Sequence, residues 1–209
     1  MVAPERLERW LAGFAERHGP PSYEAGPETV VLHAPDGATA ECSLPFPPLS
    51  VDPASPYGGL VAHVLAEREI GVLLVRLGGF AAGVFTGSRL GASKVGSRHV
   101  QGRTAAGGRS QQRFARRREG QARVAFDAAA DAAARVLLPA ADSIAGLVLG
   151  GDRRALAAVL EDPRLAPLRP LVTGPRLDVP DPRRRVLEGT PASFRAVRIR
   201  VVDPAPAEA

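Results

Sequence analysis

Gly71-Val72-Leu73-Leu74-Val75-Arg76-Leu77-Gly78-Gly79-Phe80-Ala81-Ala82-Gly83-Val84-Phe85 decides the fold class of this 209-residue chain. Two short apolar runs, 71–77 and 80–85, flank a glycine pair, which predicts adjacent antiparallel strands of a buried sheet. Further on, the run from Ile144 to Leu149 predicts another strand, Gly150-Gly151 a turn, and Asp152 the N-cap of a helix reaching about Glu161. Between them a long helix is predicted over about Gln112 to Leu138, ended by Pro139. Phe126, Ala130, Ala133 and Leu137 fall on one of its faces, and Asp127, Asp131 and Arg135 form a solvated ladder on another. Strands followed by strand–helix alternation give an α/β (α+β) domain with a mixed sheet flanked by helices. Leu168 to Val172 is expected as a short strand, Pro175 to Arg185 as a proline- and arginine-rich loop, and Phe194 to Val202 as an exposed strand carrying Arg195, Arg198 and Arg200.

Toward the N-terminus, residues 4–18 form an amphipathic pattern with Leu7, Trp10, Leu11 and Phe14 on one face, stopped by Gly19-Pro20-Pro21. Thr29 to His33 and Ala38 to Leu44 are strand-like runs around Pro35-Asp36-Gly37, a hairpin signal. The prolines from Pro45 to Pro56 read as a connector, and a short helix is expected from about Gly59 to Glu67. The expected organisation is therefore an N-terminal helix-and-hairpin extension over 1–56, a main domain over 57–203 and a disordered tail over 204–209.

Charge is concentrated in one place. From Gly87 to Arg123 there are ten Lys or Arg residues against the single acid Glu119, whereas the rest of the chain is net acidic. After Phe85 the pattern dissolves into Gly, Ser, Arg and Thr for about 25 residues, so a mobile loop is expected over 86–112; a loop of such length in a compact domain is functional or disordered. A local basic field attracts polyanions, and guanidinium groups suit phosphate. Lys94 is the only lysine, so arginine identity at any one position carries little weight.

Conventional signatures are missing. Gly87 to Lys94 lacks the Gly-Lys-Ser/Thr end of a P-loop, and Gly108 to Gln112 is no nucleophile elbow because Gln112 stands where glycine is required. The histidines His18, His33, His63 and His99 have no zinc-ligand spacing, so no metal or other cofactor is expected. His63 is read as structural, and Cys42, the only cysteine, as a small core residue. Glu5, Arg6, Glu8 and Arg9 interrupt any apolar leader, and no run reaches the roughly 20 apolar residues of a membrane span. The chain is expected to be cytoplasmic, without a membrane partner, and monomeric.

Gly107-Gly108-Arg109-Ser110-Gln111-Gln112-Arg113-Phe114-Ala115-Arg116 resembles the glycine-glycine-glutamine loop and the "RFAR" helix start that follows it in the middle domain of archaeal and eukaryotic class-one peptide-chain release factors. Ala145-Gly146-Leu147-Val148-Leu149-Gly150-Gly151 is similar to that domain's "AGLVLAG" strand and turn, and the two motifs occur in the same order across about residues 70–162. Arg109 stands in the register of the family's catalytic glutamine, and glutamines follow at 111 and 112. This displaced pattern resembles the Vms-like release factors, with Gly108-Arg109-Ser110-Gln111 as the closest counterpart of that branch's glycine-serine-glutamine sequence. The resemblance implies an RNase-H-like core and a peptidyl-tRNA hydrolase acting on stalled large-subunit ribosomes. In it Gln111, or Gln112 as second choice, positions water, while Gly107 and Gly108 let the backbone approach the tRNA end. Arg98, Arg103, Arg109, Arg113, Arg116 and Arg117 would contact rRNA or tRNA phosphates. A non-catalytic module docking on rRNA or tRNA and a tRNA nuclease stay open as alternatives.

Overall fold

The computed structural model describes residues 1–76, 78–97 and 110–204, and only the backbone within 110–119. Among the described residues the helices are, in chain order, α1 (Leu7–His18), α2 (Leu60–Leu65), α3 (Ser110–Leu137), α4 (Arg153–Leu160), α5 (Arg184–Glu188) and α6 (Pro191–Phe194). The strands are β1 (Ser22–Ala25), β2 (Thr29–His33), β3 (Thr39–Ser43), β4 (Glu69–Arg76), β5 (Gly79–Thr86), β6 (Arg89–Ser97), β7 (Gly146–Gly151) and β8 (Arg198–Val202). They form two compact units: Met1–Glu67 together with the chain from Pro191, and Arg68–Thr190.

The first unit is an antiparallel sheet of order β1-β2-β3-β8 with helices on its apolar face. Alternation dictates that face: Val30 and Leu32 on β2 and Ala40 and Cys42 on β3 are fully buried, while their neighbours are half exposed. Leu7, Leu11 and Phe14 of α1 and Leu60 and Val64 of α2 belong to the same core. Cys42 is thus the small core residue expected, and burial pushes its thiol pKa up to about 12.

The β2–β3 turn is held by Asp36, whose carboxylate accepts from the Ala38 amide at 2.9 Å and meets His18 Nδ1 at 2.8 Å. These contacts, the amide first, hold the Asp36 carboxyl below its ordinary value of 3.8. A depressed folded-state pKa contributes stability above the unfolded value and loses it as pH falls through the folded one. Acid unfolding of an Asp36→Asn variant is therefore expected to be less pH-dependent below pH 3.8 than that of the wild type, as followed by circular dichroism.

The second unit is a mixed sheet of order β6-β5-β4-β7, antiparallel except for the parallel pair β4–β7. It meets the expected α/β class of a mixed sheet flanked by helices. Leu73, Val75, Phe80, Ala82, Val84 and Leu147 point to one face, covered by a strip of α3 rich in alanine (Ala129, Ala130, Ala133) and by Leu156 and Val159 of α4. Alanine there lets the helix approach the sheet closely, and Phe80 spreads over Gly96 of the edge strand, where an added Cβ would lie 2.4 Å from its ring. Gly71, Gly79 and Gly83 likewise sit against side chains from packed neighbours.

Asp152 caps α4, accepting from the Ala155 amide at 2.8 Å, as its sequence position predicts. The preceding Gly151 has φ +102°, and a Cβ there would fall 2.2 Å from the Val75 carbonyl oxygen. Gly151→Ala is expected to cost about 1–3 kcal/mol through backbone strain alone, read as a lowered thermal midpoint.

Several expectations change. The loop expected over 86–112 contains β6, which pairs with β5 across a two-residue turn at Gly87-Ser88, and its last three residues begin α3. An edge strand needs no apolar alternation, so β6 leaves little periodicity in the sequence. Leu168 to Val172 is not a strand: Pro163–Leu171 is a 3-10 helix, in which Pro163, Pro167 and Pro170 supply no amide donors and Leu165 and Leu168, three apart, are both buried. Val172 keeps one isolated bridge to Leu147. The exposed strand near the C-terminus is β8, and it pairs with β3 in the first unit; the division thus lies at Glu67/Arg68 and again near Pro191, where the sequence placed it at 56/57. β1, polar and on the sheet edge, carries no sequence signal. Of the tail over 204–209, residues 205–209 lie outside the described residues.

Candidate functional site

The sheet of the second unit brings its chemistry-bearing segments to one end. Arg76 pairs with Gly79, Gly79 with Ser97, and Val75 with Gly151 in parallel register. The C-terminal ends of β4 and β7 and the last residue of β6 therefore share that end, the one at which ligands bind in open α/β sheets. The chain leaves Ser97 from there and is next described at Ser110, the start of α3. After Leu137 it reaches Gly146, which pairs with Ile70 at the opposite end. Thus α3 runs back along the sheet from the Ser97 end.

Length shows how far α3 extends. Its 28 residues span about 42 Å, whereas the eight residues of β4 span about 27 Å, so roughly ten residues reach beyond the strands. Burial agrees: Gly120, Arg123 and Val124 are exposed, and the first fully packed residue is Ala125. The overhang is the segment Ser110 to about Glu119. It carries Gln111, Gln112, Arg113, Arg116 and Arg117, with Gln112 and Arg116, and Arg113 and Arg117, each one helical turn apart. Arg98, Arg103, Gly107, Gly108 and Arg109 lie outside the described residues. So does His99.

Arginines that the sequence reading did not single out stand at this same end. Arg76 donates to the Val179 carbonyl at 2.7 Å, and Arg176 donates to the Gly151 carbonyl, tying the 176–179 segment to the ends of β4 and β7. Pro182 packs on Gly79, 3.2 Å from where its Cβ would be, and so sets the exposed Arg183, Arg184 and Arg185 beside the start of β5. The only sequence signal was the arginine density of 175–185; the contact that aims it, Pro182 on Gly79, is a tertiary one. On the covered face Arg164 bridges Asp131 of α3 at 2.8 Å and Asp162 at 2.7 Å, an exposed ion set of small energetic weight.

The other residues weighed in the sequence are structural or separate from this end. His63 donates through Nε2 to the Pro45 carbonyl at 3.1 Å, and His18 pairs with Asp36, both in the first unit. Among the described residues no group of three or more His, Cys, Asp or Glu could hold a metal ion, and no helix is long and apolar enough to cross a membrane.

A family model described as Actinobacteria/chloroflexi VLRF1 release factor matches residues 68–200, the whole of the second unit and most of the chain beyond it to β8. Among solved structures, the crystal structure of archaeal translation termination factor aRF1 is similar at 17% identity and a TM-score of 0.38, over 71% of this chain and 44% of that one. Another, titled "Archaeal protein", is similar at 15% identity and a TM-score of 0.41, over 78% of this chain and 51% of that one. The chain spans about half the length of these structures, and likenesses this loose carry no functional argument. No curated protein matches the chain. The family match covers well over half of the sequence and includes both motif stretches, 107–116 and 145–151: the chain belongs to the Actinobacteria/chloroflexi VLRF1 release factor family.

Proposed function

We propose that this release-factor family member is a peptidyl-tRNA hydrolase that frees nascent chains from stalled large-subunit ribosomes. Membership of the family over residues 68–200 is the observation that carries the reading. The overhanging start of α3 supports it, because a projecting helix can carry a short segment into a cavity too narrow for the sheet itself.

In this mechanism water attacks the carbonyl carbon of the ester joining peptide to the terminal ribose. The acyl–oxygen bond then breaks, the ribose oxygen takes a proton, and the peptide leaves as a carboxylic acid. Gln111 positions the water and offers an amide donor toward the developing oxyanion, with Gln112 as second choice. Gly107 and Gly108 permit close backbone approach to the tRNA end. Arg98, Arg103, Arg109, Arg113, Arg116 and Arg117 hold rRNA or tRNA phosphates, and the exposed Arg183 to Arg185 extend that basic surface. The reaction uses no cofactor, and the protein works as a cytoplasmic monomer.

Arg109, standing in the register of the family's glutamine, favours a second reading: a module that docks on rRNA or tRNA without hydrolysis. Incubation with isolated nascent-chain complexes separates the two. Release of free peptide supports the hydrolase, whereas salt-sensitive ribosome binding with the ester left intact supports the docking module.

A further inference from the structure

The first unit is acidic, with six arginines against eleven Asp and Glu residues over 1–67 and 191–209. Three of these six arginines have partners within the protein. Arg195 meets Glu5 at 2.9 Å, Arg200 meets Glu41 at 2.7 Å, and Arg17 donates to the Gly13 carbonyl at 3.0 Å. Arg6 and Arg9, like Arg198 on β8, are exposed and have no ion pair or side-chain hydrogen bond among the described residues. Arg6 and Arg9 lie three residues apart on one face of the helix start, with Trp10 four residues from Arg6. Glu5, the acid that could have neutralised them, is turned to Arg195.

All three side chains line one open pocket of about 450 Å³, together with Met1, Val2 and the small residues Ala3, Ala192 and Ala196. No acidic residue lines it. Its volume is that of a small-ligand site. The indole of Trp10 is half-buried and stacked on Phe14, with centroids 5.7 Å apart and planes 18° apart, which fixes its orientation as a platform. Two like charges left side by side without a counter-ion repel each other, and an anion between them removes that cost.

We propose that this cavity binds a nucleotide of single-stranded RNA, its base stacked on Trp10 and its phosphate held by Arg6 and Arg9. A planar base and an adjacent phosphodiester use the indole and both guanidinium groups together. A carboxylate-rich peptide would satisfy the arginines and leave the platform unused. A duplex presents its phosphates but keeps its bases stacked on one another. The site lies wholly in the first unit and does not depend on the release chemistry, so it stands or falls separately from it.

Trp10 is the only tryptophan of the chain, so its fluorescence reports on this cavity and not on the basic segment over 87–123. The experiment titrates the full chain with a short single-stranded oligoadenylate RNA, with its duplex, with adenosine monophosphate, with polyglutamate and with inorganic phosphate. Saturable quenching by the single strand is expected, at least about tenfold tighter than by the duplex, with adenosine monophosphate quenching through the same base and phosphate contacts. In Arg6→Glu/Arg9→Glu the quenching should be lost; both residues are exposed, and circular dichroism checks that the variant is folded. Arg153→Glu/Arg154→Glu, an equal charge reversal at exposed positions of α4, should keep it. Three results would each overturn the proposal: no quenching by the single strand, unchanged quenching in the Arg6/Arg9 variant, or equal affinity for polyglutamate or the duplex.

Discussion

Replacing Gln111 by alanine is expected to slow ester hydrolysis on nascent-chain complexes by about 100-fold or more, the loss that follows removal of a single oxyanion donor. Affinity for the ribosome should change little, because in the proposed mechanism arginines and not the amide hold the phosphates. Gln112→Ala serves as the internal control. The two glutamines are consecutive on α3, so the single substitutions separate their contributions. If Gln112→Ala shows the large loss and Gln111→Ala does not, the role passes to Gln112. If neither variant slows release, positioning by a glutamine side chain is wrong.

The largest expected effect on stability comes from Leu147→Ala. Leu147 is fully buried on β7, pairs in register with Gly71 and forms part of the core under α3 and α4. Its Cδ1 lies 3.2 Å from where a Gly71 Cβ would stand, so the side chain fills the space which that glycine leaves open. Truncation removes packing that β4 cannot replace, and a cost of about 3–5 kcal/mol is expected. That is a large part of the 5–15 kcal/mol typical of a domain, so a clear fall in the midpoint of chemical denaturation should follow. A midpoint shift as small as that of an exposed substitution would mean that the β7 pairing contributes little.

Burial decides which parts of this fold can be read from the sequence. Central strands β4, β5 and β7 are covered on both faces, so their apolar runs stand out, and Asp152 marks the start of α4 because an N-cap is a local device. The exposed edge strands β1 and β6 carry no such run: Lys94 and Arg89 suit an edge that must not pair further. Pro163–Leu171 has the apolar content of a strand but prolines that favour a 3-10 helix. β8 could be recognised as a strand, yet its partner, β3, lies about 160 residues earlier, and nothing local encodes that choice.

The candidate site was legible in a similar, partial way. The motif around Gln111 is a local sequence feature, and the structure adds that its helix overhangs the sheet end reached by β4, β6 and β7. Arg76, Arg176 and Arg183 to Arg185 come to that end only through tertiary contacts, the Val179 and Gly151 carbonyls and the packing of Pro182 on Gly79. Arg6, Arg9 and Trp10 sit in the amphipathic pattern of α1, where periodicity alone reads Trp10 as a core residue. Their cavity becomes visible only once the segment around Ala192 and Ala196 returns to the first unit.

The most direct test of the central claim is the fate of oxygen in the released peptide. Nascent-chain complexes treated with the protein in heavy-oxygen water should yield peptide with one heavy oxygen in its terminal carboxylate, and tRNA with an intact 3′ hydroxyl. Peptide still attached to a tRNA fragment, or an ester that stays intact while the protein is bound, would contradict the account.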